Sequence, residues 1–132
     1  MSAAHQAFCQ DLKQSLPAER ILTDDFHRLT YGTDASFYRL IPEVVVKVKD
    51  EDELQWVLRL ARQHQVSVTF RAAGTSLSGQ AVTDSVLVVL EINSWREFKV
   101  LNAGAEISLQ PGIIGSQANQ YLMPFGRKVG PD

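Results

Sequence analysis

Between Arg71 and Val82 the chain reads RAAGTSLSGQAV, with VSVTF (66–70) before it and SVLVVLEI (85–92) after it. Two β-branched, apolar runs are separated by Gly, Thr, Ser, Ser and Gly. The runs read as strands. The segment between them reads either as a plain polar connection or as a loop whose backbone is bared for a ligand. Glycine removes the Cβ that would hold a phosphate away, and it admits the positive φ angles that turn successive N–H groups inward. Thr75, Ser76 and Ser78 add hydroxyl donors. Spacing alone does not choose between the two readings.

Spacing does exclude two nucleotide motifs. Gly74 and Gly79 are separated as in GxxxxGK[ST], but Gln80 and Ala81 stand where that motif has Lys and Ser or Thr. A P-loop ATPase would lack its phosphate cation and its Mg²⁺ ligand. The GxGxxG fingerprint of a Rossmann dinucleotide site is absent as well.

Working outward, PEVVVKVK (42–49) gives a strand with Pro42 at its start. Asp50 and Glu53 read as an N-cap and its capping-box partner. Behind them Leu54, Val57, Leu58 and Ala61 define one apolar helical face. Strand, helix and strand form a βαβ unit, which calls for parallel pairing. Strand 85–92 is apolar nearly throughout, as a strand covered on both faces should be. At the N-terminus, Ser2 caps a helix over 3–16 with Ala4, Phe8, Leu12 and Leu16 on its face. ILTDD and YGTDAS then read as a connecting loop in which Asp34 and Ser36 stabilise a turn. Past NSWREF the chain reads as a hairpin over 98–113 turning at Asn102–Gly104, then a short helix capped by Ser116 and ending before Pro124.

These elements predict an α+β fold. Three strands, 44–49, 66–71 and 85–92, form a small mixed sheet on helix 51–64, and the hairpin begins an antiparallel second lobe. The expected divisions are 1–40 (N-terminal helix and lead-in loop), 41–97 (first lobe, carrying the glycine loop) and 98–132 (start of the second lobe, incomplete).

Composition narrows the function classes. With 132 residues, 45% apolar and 21% charged, the chain suits a single globular domain. A net charge of −2 gives no electrostatic reason to expect nucleic acid. Cys9 is the sole cysteine, which excludes an internal disulfide and a thiolate metal cluster within these residues, so no metal site is expected. It reads as a bystander thiol. His5, His27 and His64 have no ligand spacing, and His64 reads as a helix-end residue. Trp56 and Trp95 read as packing residues, Trp95 in a turn. The N-terminal stretch lacks the apolar core of a secretory signal, and no run approaches membrane-spanning length, so the expectation is cytoplasmic, with peripheral association to the inner membrane face open for the parent protein.

At the glycine loop the sequence also resembles a known family. RAAGTSLSGQAV is similar to the pyrophosphate-binding loop of the vanillyl-alcohol oxidase, or p-cresol methylhydroxylase (PCMH), type of FAD domain. Its wording is nearest the D-lactate dehydrogenase and glycolate oxidase branch, in the long forms that carry iron–sulfur motifs. YGTDASFYRLIPEVVVKVK, LQPGIIGSQANQYLMPFG and VGPD resemble three further segments of that family, in the same order.

The resemblance implies FAD held by Arg71, Ala73, Gly74, Thr75, Ser76, Leu77, Ser78, Gly79 and Gln80, with Pro131 and Asp132 near the cofactor. Covalent members carry a His directly after an Arg-x-x-Gly stretch. Here Thr75 follows Arg71-x-x-Gly74, so dissociable FAD is expected. The implied activity is oxidation of a D-2-hydroxy acid such as D-lactate by hydride transfer to flavin. Family members continue well past Gly-Pro-Asp. The catalytic residues, the substrate domain and any iron–sulfur cluster are therefore expected beyond these residues, and the chain is expected to be an inactive front part open to self-association. Two rivals stand beside this reading: a flavoenzyme of the same fold with another substrate, and a non-catalytic nucleotide-binding module.

Overall fold

The structure, a computed structural model, describes residues 1–130. The chain divides into two compact units, Met1–Leu90 and from Glu91 onward.

The first unit is built on a four-stranded mixed sheet in the order β1-β2-β4-β3. Its strands are β1 (Ile21–Leu22), β2 (Val44–Val48), β3 (Val68–Arg71) and β4 (Val86–Leu90). β4 runs parallel to both β2 and β3, pairing Val45 with Leu87 and Thr69 with Leu87. β1 adds antiparallel to β2. The βαβ unit read from the sequence is present, but its two strands do not touch: β4 inserts between them. β4 and β2 are the most buried strands, with Val86, Leu87 and Val88 of β4 fully buried. Leu22, Val45, Leu87 and Val89 form one core face with Tyr31 packed on it. Val44, Val46, Val48, Val86 and Val88, on the alternate positions, are equally buried, so both faces are covered.

Helix α1 (Ala3–Leu12) begins where Ser2 Oγ accepts the His5 N–H at 3.3 Å. It stops short of the expected Leu16, although Phe8, Leu12 and Leu16 are all buried. A short helix, α2 (Asp25–Thr30), capped by Asp24, occupies what the sequence reads as connecting loop. Helix α3 (Glu51–Gln63) is the crossover. Asp50 Oδ1 accepts the Glu53 N–H at 2.9 Å as expected. The reciprocal bond of a capping box is displaced by one residue, because the Glu53 carboxylate accepts the N–H of Lys49, not that of Asp50. Its two oxygens also take both terminal nitrogens of Arg20, each at 2.7 Å. The buried face is Val57, Leu60 and Ala61, and Leu58 points outward, a rotation of the stripe read from the sequence.

In the second unit, β5 (Phe98–Leu101) and β6 (Glu106–Leu109) pair as the expected antiparallel hairpin. The turn carries positive φ at Asn102, Ala103 and Gly104. Helix α4 (Gly115–Leu122) is capped at Ile114, not by Ser116, and Gln117 Oε1 accepts the Ile114 N–H at 3.3 Å. Tyr121 of α4 stacks on Phe98 of β5 at 3.6 Å between ring centroids. Trp95 is buried, and its carbonyl accepts the Gly112 N–H at 2.7 Å. A Cβ on Gly112 would stand 2.3 Å from that carbonyl oxygen, so only glycine closes this turn.

Candidate functional site

The glycine loop leaves the end of β3 at Arg71 and returns toward β4 at Ala81. Arg71 is buried. Its Nε donates to the Ala81 carbonyl at 3.0 Å, and Nη2 donates to the same oxygen. One guanidinium therefore ties the two ends of the loop together. Burial pushes its pKa down, while Asp34 and Tyr31 work against that loss of charge. Its charge also lies 5.7 Å from the centre of the Tyr31 ring.

Gly74 and Gly79 both have positive φ, +69° and +77°. The space their missing side chains leave is filled by the protein itself. A Cβ on Gly79 would meet the Tyr38 ring at 2.8 Å, and one on Gly74 would meet Arg71 Cδ at 3.3 Å. The glycines are thus required first by the loop's own packing.

The hub of the loop is Ser76. Its Oγ accepts the N–H of Ser78 and the N–H of Gln80, each at 3.2 Å, and donates to Gln80 Oε1. Two main-chain amides thus converge on one oxygen, the Ser76 hydroxyl, which occupies the position. That is the donor arrangement an anion needs, and a phosphate oxygen is an acceptor of the same kind. Ala73, Thr75, Leu77, Ser78 and Gln80 are exposed along the crest. Beside it a crevice of about 260 Å³ is lined by Tyr38, Arg39, Leu40, Ser78, Gly79 and Val82. Pro131 and Asp132 lie outside the described residues. A larger cavity of about 670 Å³ runs along α4 in the second unit, and no glycine-loop residue lines it.

The 33–39 turn, which the sequence reading treats as stabilising only itself, reaches the loop. The Ala35 N–H donates to the Gly74 carbonyl at 3.1 Å. Asp34 Oδ1 accepts the Ser36 N–H at 2.8 Å and the Ser36 hydroxyl. The Ser36 hydroxyl holds the Asp34 carboxyl below the usual carboxylate range; burial opposes this, and the Ala81 amide and Arg71 add to the lowering. Asp34, Tyr38 and Arg39 escaped the sequence reading as loop partners. The signal available was only their lead-in position in a resembling segment.

Residues 42–132 match a family model described as an FAD binding domain. The chain belongs to the FAD-binding domain family. This FAD-binding domain is 32% identical over 128 residues to D-2-hydroxyglutarate dehydrogenase of Escherichia coli, covering 95% of the chain and 13% of that protein. It is 30% identical over 123 residues to the glycolate oxidase subunit GlcD of the same organism, covering 92% and 25%. Among solved structures, p-cresol methylhydroxylase with substrate bound superposes with a TM-score of 0.69 at 11% identity, covering 96% of this chain and 26% of that one. At that identity the likeness concerns the fold, which is of the expected PCMH type. The FAD-binding domain spans about a quarter or less of the length of these relatives.

The residues present fit FAD. The exposed hydroxyls of Thr75 and Ser78, beside the Ser76 hydroxyl and the Ser78 and Gln80 amides that it holds, form a donor-rich loop of low charge. No helix among the described residues is long and apolar enough to cross a membrane.

Proposed function

We propose that this chain is the front part of an FAD-dependent dehydrogenase acting on a D-2-hydroxy acid. In this reading the loop from Ala73 to Gln80 holds the cofactor's pyrophosphate. The observation that carries it is the convergence of the Ser78 and Gln80 amides on the Ser76 hydroxyl oxygen, which a phosphate oxygen would replace as acceptor, within a loop closed by Arg71 and Ala81. The loop's hydroxyls add donors, and Arg71 keeps the cradle shut from beneath. Pro131 and Asp132 are proposed to approach the same cofactor.

When bound, FAD supplies the hydride-accepting chemistry. The chain's own part is to bind and orient it. Thr75 stands where covalent members of the resembling family have His, so attachment is non-covalent. The substrate class follows from what the relatives' names share. D-2-hydroxyglutarate and glycolate both carry a hydroxyl beside a carboxylate, as does D-lactate. The groups that recognise the substrate and take its proton are proposed to lie outside these residues, which leaves the chain alone inactive toward it.

Titration of FAD with the chain, followed by flavin fluorescence, tests the reading. Saturable quenching is expected, with all the flavin released into the supernatant on acid precipitation. Absence of quenching would remove the cofactor-binding role from this chain. Yellow colour retained in the pellet would overturn the non-covalent assignment.

A further inference from the structure

We infer that Asp34 is a positioning residue for the glycine loop: from a separate turn it sets the geometry of the loop's base and crest, and so the alignment of the amides that grip the cofactor's pyrophosphate. The inference rests on the FAD reading of the loop, and its test separates the two.

The 33–39 turn meets the loop at three places. At the loop's start, the Ala35 N–H donates to the Gly74 carbonyl. At the crest, the Tyr38 ring covers Gly79 so closely that a Cβ would stand 2.8 Å from it. At the exit, the Asp34 carboxylate faces the Ala81 amide and the charge of Arg71, whose guanidinium holds the Ala81 carbonyl. Asp34 bears on the second and third of these. Its Oδ1 fixes Ser36 through the N–H and hydroxyl, and Ser36 Oγ in turn accepts the Tyr38 N–H at 3.2 Å. A relay runs from Asp34 through Ser36 to Tyr38 and so to Gly79. The other oxygen, Oδ2, is buried with no donor in hydrogen-bonding geometry. The carboxylate's charge supports that of the buried Arg71.

This division of labour between the two oxygens defines the variant. Asp34→Asn keeps an acceptor for Ser36 but removes the carboxylate's charge and puts an NH₂ group at the Oδ2 position. The turn and its Tyr38 contact with Gly79 are retained, and its charge on the loop's exit is lost. ¹H–¹⁵N NMR and amide exchange of the ligand-free chain read this directly. In the wild type, Gly79 signals are expected to carry the ring-current shift of the Tyr38 ring. In Asp34→Asn that shift should persist, because the Ser36 relay to Tyr38 is kept, while exchange across 72–82 should rise by about tenfold, the scale of one lost charge-assisted contact. Signals from 44–48 and 86–90 should stay unchanged, which a general loss of structure would not allow. FAD affinity should fall by about the same factor.

Unchanged exchange across 72–82 in Asp34→Asn overturns the inference. Raised loop exchange in a chain that binds no FAD would support the positioning role and sink the FAD reading instead. Should Asp34→Asn fail to fold, proximity of the Tyr38 ring to Gly79 in wild-type NOE spectra decides: its presence supports the relay and its absence refutes it.

Discussion

At the scale of single residues, the site is governed by side chains that fill the spaces its glycines leave. Gly79 shows this most sharply. Its φ of +77° disfavours any L side chain, and its missing Cβ is where the Tyr38 ring sits. Gly79→Ala therefore meets two costs, an unfavourable backbone region and a displaced ring. The backbone term alone is about 1–2 kcal/mol. The expected outcome is a lower urea midpoint with an unchanged m-value, together with weaker FAD binding. Gly126→Ala is the matched control. It too has positive φ, but nothing lies within 4 Å of its would-be Cβ. Its loss should be confined to the backbone term and should leave FAD affinity alone. Equal effects of the two changes on FAD binding would refute the role given to the Tyr38–Gly79 contact.

At the scale of elements, the start of α3 is held by charge. Burial pushes the Glu53 carboxyl up, but the Arg20 guanidinium and the Lys49 N–H outweigh it and hold it below the usual glutamate range. The folded state thus binds that proton less readily than the unfolded chain. The resulting stability is present above the unfolded-state pKa and is lost as pH falls through the folded one. Glu53→Gln should cost about 1 kcal/mol near neutral pH and flatten the acid limb of the stability curve, measured by urea melts across pH. A wild-type limb that Glu53→Gln leaves unchanged would rule this pair out as its source. The same elements show what was legible in the sequence. Helix α3, the three Val-rich strands and the 98–109 hairpin follow from period and turn residues. The strand order does not, because β2, β3 and β4 read alike and periodicity carries no neighbour information. β1 is two residues long and α2 buries none of its residues, so neither has a pattern to read. Of the site, the loop and its positive-φ glycines were legible. Asp34 and Tyr38 were not, since their contacts join segments about 40 residues apart and leave no local trace.

At the scale of the whole molecule, the surface is the telling feature. The 33–39 turn that braces the loop also carries Phe37, which is fully exposed, and Tyr38, with Leu40 next to it and Leu77 on the loop itself. Phe26 and Leu29 of α2 are exposed in the same unit. Single exposed apolar residues are ordinary, but an aromatic with no covered surface is a costly one to leave in water. The sheet adds a second hazard. β3 is an edge strand, paired only with β4, and Phe70 on it is exposed. An unpaired edge with an apolar side chain is a template for another chain. The chain by itself is therefore expected to self-associate reversibly as concentration rises, seen as an increasing weight-average mass in sedimentation equilibrium. Phe37→Ser should reduce that association without lowering the urea midpoint, since the side chain it removes has no folded-state burial to lose. Phe70→Thr, which replaces the aromatic with a β-branched residue suited to a strand, separates the two hazards. If it suppresses association and Phe37→Ser does not, the open edge of β3 is the surface responsible. A monodisperse monomer at every concentration would show that neither surface is adhesive.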